Sequence, residues 1–264
     1  MTLIKWTAML GLSLSLLSTA YAVEDGFWLD VQNNKSSSVM RYLAQGVDPN
    51  IKSREEQPVI MWAIQNEAWG VYDLLVSHRA FDPNVVNAHD ETPLMYLAIM
   101  GETQRANDLI TKGAQVNRLG WTALHYAASK KQVDMAEMLI NQGALVNAAS
   151  ADGTTALMMA ARSGSSKMVN VLLQHGADPT TRSLAKLSAA DWAQSNKQTR
   201  LAEQLRQVEA AYQKERVEKK GKMGSFSIQD VVEPSAELSG TSERATQGSS
   251  QYFDLKRFDE PATP

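Results

Sequence analysis

The sequence predicts an all-α repeat solenoid, built from stacked helix-turn-helix repeats with short projecting hairpin loops. Three observations carry this. A motif of about 27 residues recurs without gaps over Thr92–Arg118, Thr122–Ala148 and Thr155–Thr181, with a degenerate copy over Gln57–Asn84. The loop-closing residues Asn50, Asn84, Asn117, Asn147 and Thr180 lie 34, 33, 30 and 33 residues apart, a period that marks a repeat array. Within each copy the apolar residues keep helical spacing, as in Met135, Met138, Leu139 and Val169, Leu172, Leu173.

The elements follow in chain order. Residues 1–22 carry one cation, Lys5, an uncharged run from Trp6 to Leu17, and small residues at Ala20 and Ala22. That is the three-part pattern of a cleaved secretory signal, with an apolar core short for a membrane span. The mature chain is then expected to start near Val23 with net charge −4, soluble and exported. Phe27–Asn50 reads as an N-terminal capping repeat and Leu187–Leu205 as the C-terminal one, so the repeat domain spans 23–205. One helix pair cannot bury its own face, which is why stacked neighbours and polar end caps are required. Leu201, Leu205, Val208 and Tyr212 continue an amphipathic stripe, so the last helix is extended over 206–220. Residues 221–264 are rich in Ser, Gly, Thr, Gln and Pro and are expected to be a disordered tail. Two apolar islands in it, at Phe226–Ile228 and Tyr252–Leu255, are read as leftover apolar residues in preference to docking motifs.

Local chemistry explains each repeat. A Thr caps the first helix and Pro or Ala follows in its first turn. Paired alanines, Ala127-Ala128 and Ala160-Ala161, permit close helix approach, and Gly113, Gly143 and Gly176 end the second helix. The turn between the third and fourth repeats is short: five steps separate Asn117 from Thr122, against eight at Asn84–Thr92 and Asn147–Thr155. Trp121 sits in that clipped turn. The second repeat lacks the glycine before Ala80.

Composition narrows function. Lys and Arg total 26 and Asp and Glu 29, a net charge of −3 that gives no reason to expect nucleic acid. The sequence holds no cysteine, which excludes disulfides, thiol nucleophiles and Cys-ligated zinc. Four histidines, His78, His89, His125 and His175, form no H-x-x-x-H pair, and no G-x-S-x-G elbow or phosphate-binding glycine loop is present. The reading is therefore a non-enzymatic protein without cofactor or metal, monomeric, with no membrane insertion of the mature chain.

The recurring T-A/P-L-x-x-A-A, V-x-x-L-L and G-A-x-x-N elements resemble the ankyrin repeat, over about Phe27 to Leu205. The resemblance implies a structural task for His125, bonding loop backbone between repeats. It also implies that partners dock on a concave face made of hairpin tips and first helices. The mid-helix positions facing that groove would be Leu29, Met61, Tyr96, Tyr126, Met159 and Trp192. Two later positions hold Ile99 and Met100 in the third repeat and Ser129 and Lys130 in the fourth. Met61, Tyr96, Ile99, Met100, Trp121, Tyr126, Lys130 and Met159 are the candidate partner-binding residues, as an aromatic and Met-rich patch beside the short turn. The same patch also reads as packing that fills the gap left by the clipped turn, and both readings stay open here. An export signal on such an array resembles exported bacterial ankyrin proteins, which implies the periplasm, with secretion outside the cell as the alternative, and an adaptor for a periplasmic protein, a toxin-neutralising immunity protein, or a stress-defence accessory to a periplasmic enzyme. The partner is a protein of unspecified identity.

Overall fold

The structure, a computed structural model, describes residues 26–222. The segments read as export signal (1–22) and tail lie outside the described residues, apart from 221–222, which belong to the last helix. Helix α1 covers residues 26–32. It is followed by α2 (Ser36–Ala44), α3 (Val59–Gln65), α4 (Trp69–Ser77), α5 (Pro93–Met100) and α6 (Thr103–Thr111). Then come α7 (Ala123–Ser129), α8 (Val133–Asn141), α9 (Ala156–Ser163), α10 (Ser166–Gln174), α11 (Ala189–Ser195) and α12 (Thr199–Lys222). No strand occurs among the described residues; extended pairing is limited to single bridges, Lys52 with Pro58 and Ala149 with Thr155. The fold class is thus the all-α repeat solenoid the periodicity predicts.

Each odd-numbered, inner helix turns into its outer partner through one left-handed residue. These are Asn34, Glu67, Gly101, Lys131, Gly164 and Lys197, with φ between +53° and +76°. Four of the six are not glycine and carry the cost of that conformation. The outer helices of the third to fifth repeats end on Gly113, Gly143 and Gly176 with positive φ, as the sequence suggests.

The chain forms two compact units. Of the described residues, the first holds 26–96 together with Lys112–Ala114; the second holds Leu97–Thr111 and 115–222. In the first unit, Phe27, Trp28, Val31, Val39 and Leu75 are buried, and Trp28 meets Trp62 edge-on at 5.8 Å, joining α1 to α3. Leu29 and Met40 stay exposed at 51% and 55%, as fits an end repeat. Where the second repeat lacks its glycine, α4 stops at His78 with extended backbone, and the Ala80 N–H donates to His78 Nδ1 at 3.2 Å.

In the second unit α7 packs on α9 and α9 on α11, while α6 packs on α8 and α8 on α10. Ala127, Ala128, Ala160 and Ala161 are fully buried, so the paired alanines do lie where helices meet. Thr155 and Ser188 cap α9 and α11 by accepting from Met158 N and Asp191 N. An asparagine ladder joins repeats. Asn117 Nδ2 donates to Gly143 O at 2.8 Å and accepts from Leu145 N; Asn147 Nδ2 donates to Gly176 O at 2.8 Å and accepts from Asp178 N. Asn50 makes the equivalent bonds to Ala80 O and Asp82 N in the first unit. Every rung joins one loop to the backbone of the next, so the loops cannot splay independently.

Four hairpin loops share one turn. Ser53, Asn87, Ser150 and Ser183 each donate their N–H to the carbonyl four residues on. Their side-chain oxygens accept the N–H of that same residue. The fourth position is left-handed in all four: Glu56, Asp90, Gly153 and Lys186. The clipped loop at 117–122 has no room for this turn. It leaves Leu119 95% exposed, with Gly120 at φ +79°.

Candidate functional site

The inner helices and loops of the second unit build the candidate surface. His125 anchors its base. The Thr122 N–H points at His125 Nδ1 from 3.2 Å, so Nδ1 must accept. Nε2 then carries the proton and donates to Thr154 O at 3.0 Å, tying α7 to the next loop. The ring is fully buried. Burial pushes its pKa down to about 4, against weaker opposing effects from the Thr154 carbonyl and Asp152, so the imidazole is neutral at pH 7. With both nitrogens committed and no solvent access, His125 is the structural residue the resemblance implies.

Trp121 lies edge-on to His125 and Tyr126, with centroids 5.2 and 6.5 Å away. It is half-buried, as are Met100 and Lys130. The other five candidates are core. Met61 is completely buried, Met159 is 1% exposed, Tyr126 2%, Tyr96 4% and Ile99 5%. In the first unit the Tyr96 hydroxyl accepts from Gln57 Nε2 at 2.9 Å and Asn87 Nδ2 at 3.3 Å, and burial raises its pKa. The expectation of one exposed patch is corrected accordingly. At Met61, Tyr96, Tyr126 and Met159 the mid-helix side chain of an inner helix is enclosed by its neighbours, whereas Leu29 and Trp192 in the end repeats reach solvent. The structure brings Trp121 and Tyr126 together, but only Trp121 of the two reaches solvent.

Exposure on this surface falls instead at the ends of inner helices and at loop tips. Arg162 ends α9, in register with Ile99, Ser129 and Ser195, and its guanidinium stands 5.8 Å over the half-buried Trp192 ring. Leu119, Leu184 and Lys186 project from loops. Leu184 N donates to Asp152 O at 2.8 Å, so the last two loops are joined. The sequence reading passed over Arg162 and Lys186. The signal was available in the register, because the position two before the helix-joining turn reaches solvent at Ser129, Arg162 and Ser195, with Ile99 as the exception. A second concavity, a groove of about 830 Å³ floored by Val169, Leu173, Leu201, Leu205 and Val208, runs between the outer helices α10 and α12.

No cluster of three or more His, Asp or Glu side chains able to hold a metal ion occurs among the described residues. No described helix is long and apolar enough to cross a membrane.

The family model "Ankyrin repeats (3 copies)" matches residues 27–119 and 101–183. The chain belongs to the ankyrin repeat family. Ankyrin repeats generally mediate protein–protein interaction, and proteins built from them are typically non-enzymatic scaffolds. Among curated relatives, the chain is 32% identical to an ankyrin repeat protein of fowlpox virus over 138 residues, 52% of this chain and 18% of that protein. It is 32% identical to human neurogenic locus notch homolog protein 1 over 124 residues, 46% of this chain and 5% of that protein. It is 38% identical to the fruit-fly transient receptor potential channel pyrexia over 113 residues, 40% and 12%. The chain therefore spans less than a fifth of each of these relatives. They are viral and animal proteins, and the exported bacterial subtype draws no support from them.

Proposed function

We propose that this protein is a non-enzymatic interaction module that works in the periplasm and docks a partner protein on its inner-helix and loop-tip face. The observation that carries the reading is the distribution of exposure in the second unit. Trp121, Arg162 and Trp192 are half-buried side chains held by packing, beside loop tips that present Leu119, Leu184 and Lys186. Side chains already fixed by the fold lose little freedom on binding, which favours affinity. Trp and Arg are the residue types that most often dominate an interface. Export rests on the pattern of residues 1–22.

The test is capture from a periplasmic extract with the full chain, against a Ser129→Trp variant that places a bulky uncharged side chain on the same face. Ser129 is half-buried at the end of α7. One partner captured by the natural chain and lost by the variant supports the reading. A partner kept by the variant moves docking to the α10–α12 groove. The partner's identity separates an adaptor or stress-defence accessory from a toxin-neutralising immunity protein. Cell fractionation, with mass spectrometry for an N-terminus at Val23, tests the location.

A further inference from the structure

We propose that the inner face of the second unit takes an acidic polypeptide segment in extended conformation. This rests on the docking reading and specifies the partner's chemistry. The argument is a line of cations along one face of that unit. Although the chain is net −3, this face carries Arg118, Lys130, Arg162 and Lys186. Among the described residues, no carboxylate pairs with Arg162 or Lys186. The carboxylates on the same face are already engaged. Asp152 accepts from Ser150 Oγ and from Thr154 N, and Asp191 accepts from Ser188 N and Oγ in the α11 cap. Behind this face the outer helices differ: α6 and α8 carry Asp108, Asp134 and Glu137 against Arg105, whereas α10 and α12 carry cations of their own, Lys167, Arg200 and Arg206 among them.

Geometry favours an extended chain over a compact anion. The cations stand on successive repeats, and stacked helices lie about 10 Å apart. A chain extended as a polyproline-II helix rises about 3.1 Å per residue with three residues per turn, so every third side chain faces the same way and meets a new repeat. Carboxylates at that spacing would reach Lys130, Arg162 and Lys186 in turn, and apolar residues between them would cover the rings of Trp121 and Trp192. Arg162, held over Trp192, is positioned in advance for such a carboxylate.

The probe is a fluorescent 12-residue peptide of four Glu-Leu-Ser repeats, titrated with the full chain and read by polarisation. Its counterpart has Lys in place of Glu. The acidic peptide is expected to bind, to weaken at least tenfold between 50 and 300 mM NaCl, and to lose at least tenfold with Arg162→Glu/Lys186→Glu. Lys167→Glu/Arg200→Glu changes net charge equally on the outer helices α10 and α12 and is expected to stay within twofold. If the reversal unfolds the protein by circular dichroism, Arg162→Gln/Lys186→Gln replaces it, with at least a threefold loss expected.

Equal binding of the Lys peptide would overturn the proposal, as would an inner-face double variant without effect or an outer-helix variant that loses as much. Tight, Arg162-dependent binding of a 12-nucleotide single strand in place of the peptide would overturn it as well. The broader reading fails separately. A captured partner that Ser129→Trp abolishes, but that ignores salt and the Arg162/Lys186 variants, keeps inner-face docking and removes only the acidic segment.

Discussion

His125 makes the stability of this fold depend on pH in a calculable way. Its imidazole titrates near 6.5 when exposed in the unfolded chain and at about 4 in the folded one, chiefly because burial disfavours the cation. The folded pKa is the lower, so between pH 6.5 and 4 the unfolded state binds more protons and stability falls as pH falls. Linkage gives a loss of about 2 kcal/mol on going from pH 7.5 to 5, and about 3 kcal/mol once pH drops below 4. In urea unfolding followed by far-ultraviolet circular dichroism, 2 kcal/mol lowers the midpoint by about 1 M. The control is His125→Met. The equivalent position holds Met95 in the third repeat and Met158 in the fifth, and Met95 Sδ accepts from Thr92 N at 3.4 Å. Methionine can thus keep the bond to Thr122 N while removing the titration. Thr154 O loses its imidazole donor but keeps Ser150 N at 2.9 Å, so no carbonyl is orphaned. The variant should cost about 1–2 kcal/mol at pH 7.5, and by pH 5 the two proteins should be about equally stable. A variant whose midpoint falls between pH 7.5 and 5 as far as the natural chain's would refute the assignment of that dependence to His125.

Other positions give sharper contrasts. Gly153→Ala adds a Cβ that meets Ser183 Cα and Leu184 N of the next loop at 3.1 Å, at φ +77°, and should cost about 2–3 kcal/mol in urea unfolding. Gly120→Ala, at φ +79° with open space around it, should cost only about 1 kcal/mol in the same assay. Asn147→Ala removes the bonds to Gly176 O and Asp178 N and should cost about 1–2 kcal/mol, with faster amide exchange at Asp178. Lys131→Gly relieves a left-handed lysine at φ +62° and should raise thermal stability by up to about 1 kcal/mol; a loss would show that the Lys131 side chain has a task beyond the turn.

Much of this fold was legible because the period shows in residues whose roles are local. Thr155 and Ser188 cap, Asn117 and Asn147 bridge, and Ala127 and Ala160 sit where helices touch; each role follows from one side chain's chemistry. The left-handed turns were less legible. Glycine marks two of the six helix-joining turns, and Glu67, Lys131 and Lys197 give no hint of positive φ in their residue type. The neighbouring helices impose it. The docking face was misread for a related reason. Tyr96, Ile99 and Tyr126 were placed on an open groove by resemblance to other ankyrin arrays, with packing kept as the alternative, and packing is what the structure shows for these three. An inner helix in a stack is covered from the flanks as well, and the sequence of one repeat does not show how far that cover extends.

This enclosure bears on how the chain can select a partner. The repeat pattern fixes residues that bury themselves: His125 bonds Thr154, and Tyr126 and Met159 pack. None of these is available to a second protein. Selection falls to the final turn of each inner helix and to the loop tips, where the pattern leaves the residue type open. One register shows the consequence. It holds Ile99 in the core, Ser129 half-buried, Arg162 over Trp192, and Ser195 exposed. The relatives share the pattern over no more than a fifth of their own length, and a shared pattern carries the scaffold without the partner. Substitutions at Arg162 and Lys186 should therefore alter binding with little change in unfolding, whereas substitutions at Tyr126 or His125 should alter unfolding first. A variant at Tyr126 that loses binding while keeping its urea midpoint would contradict this division.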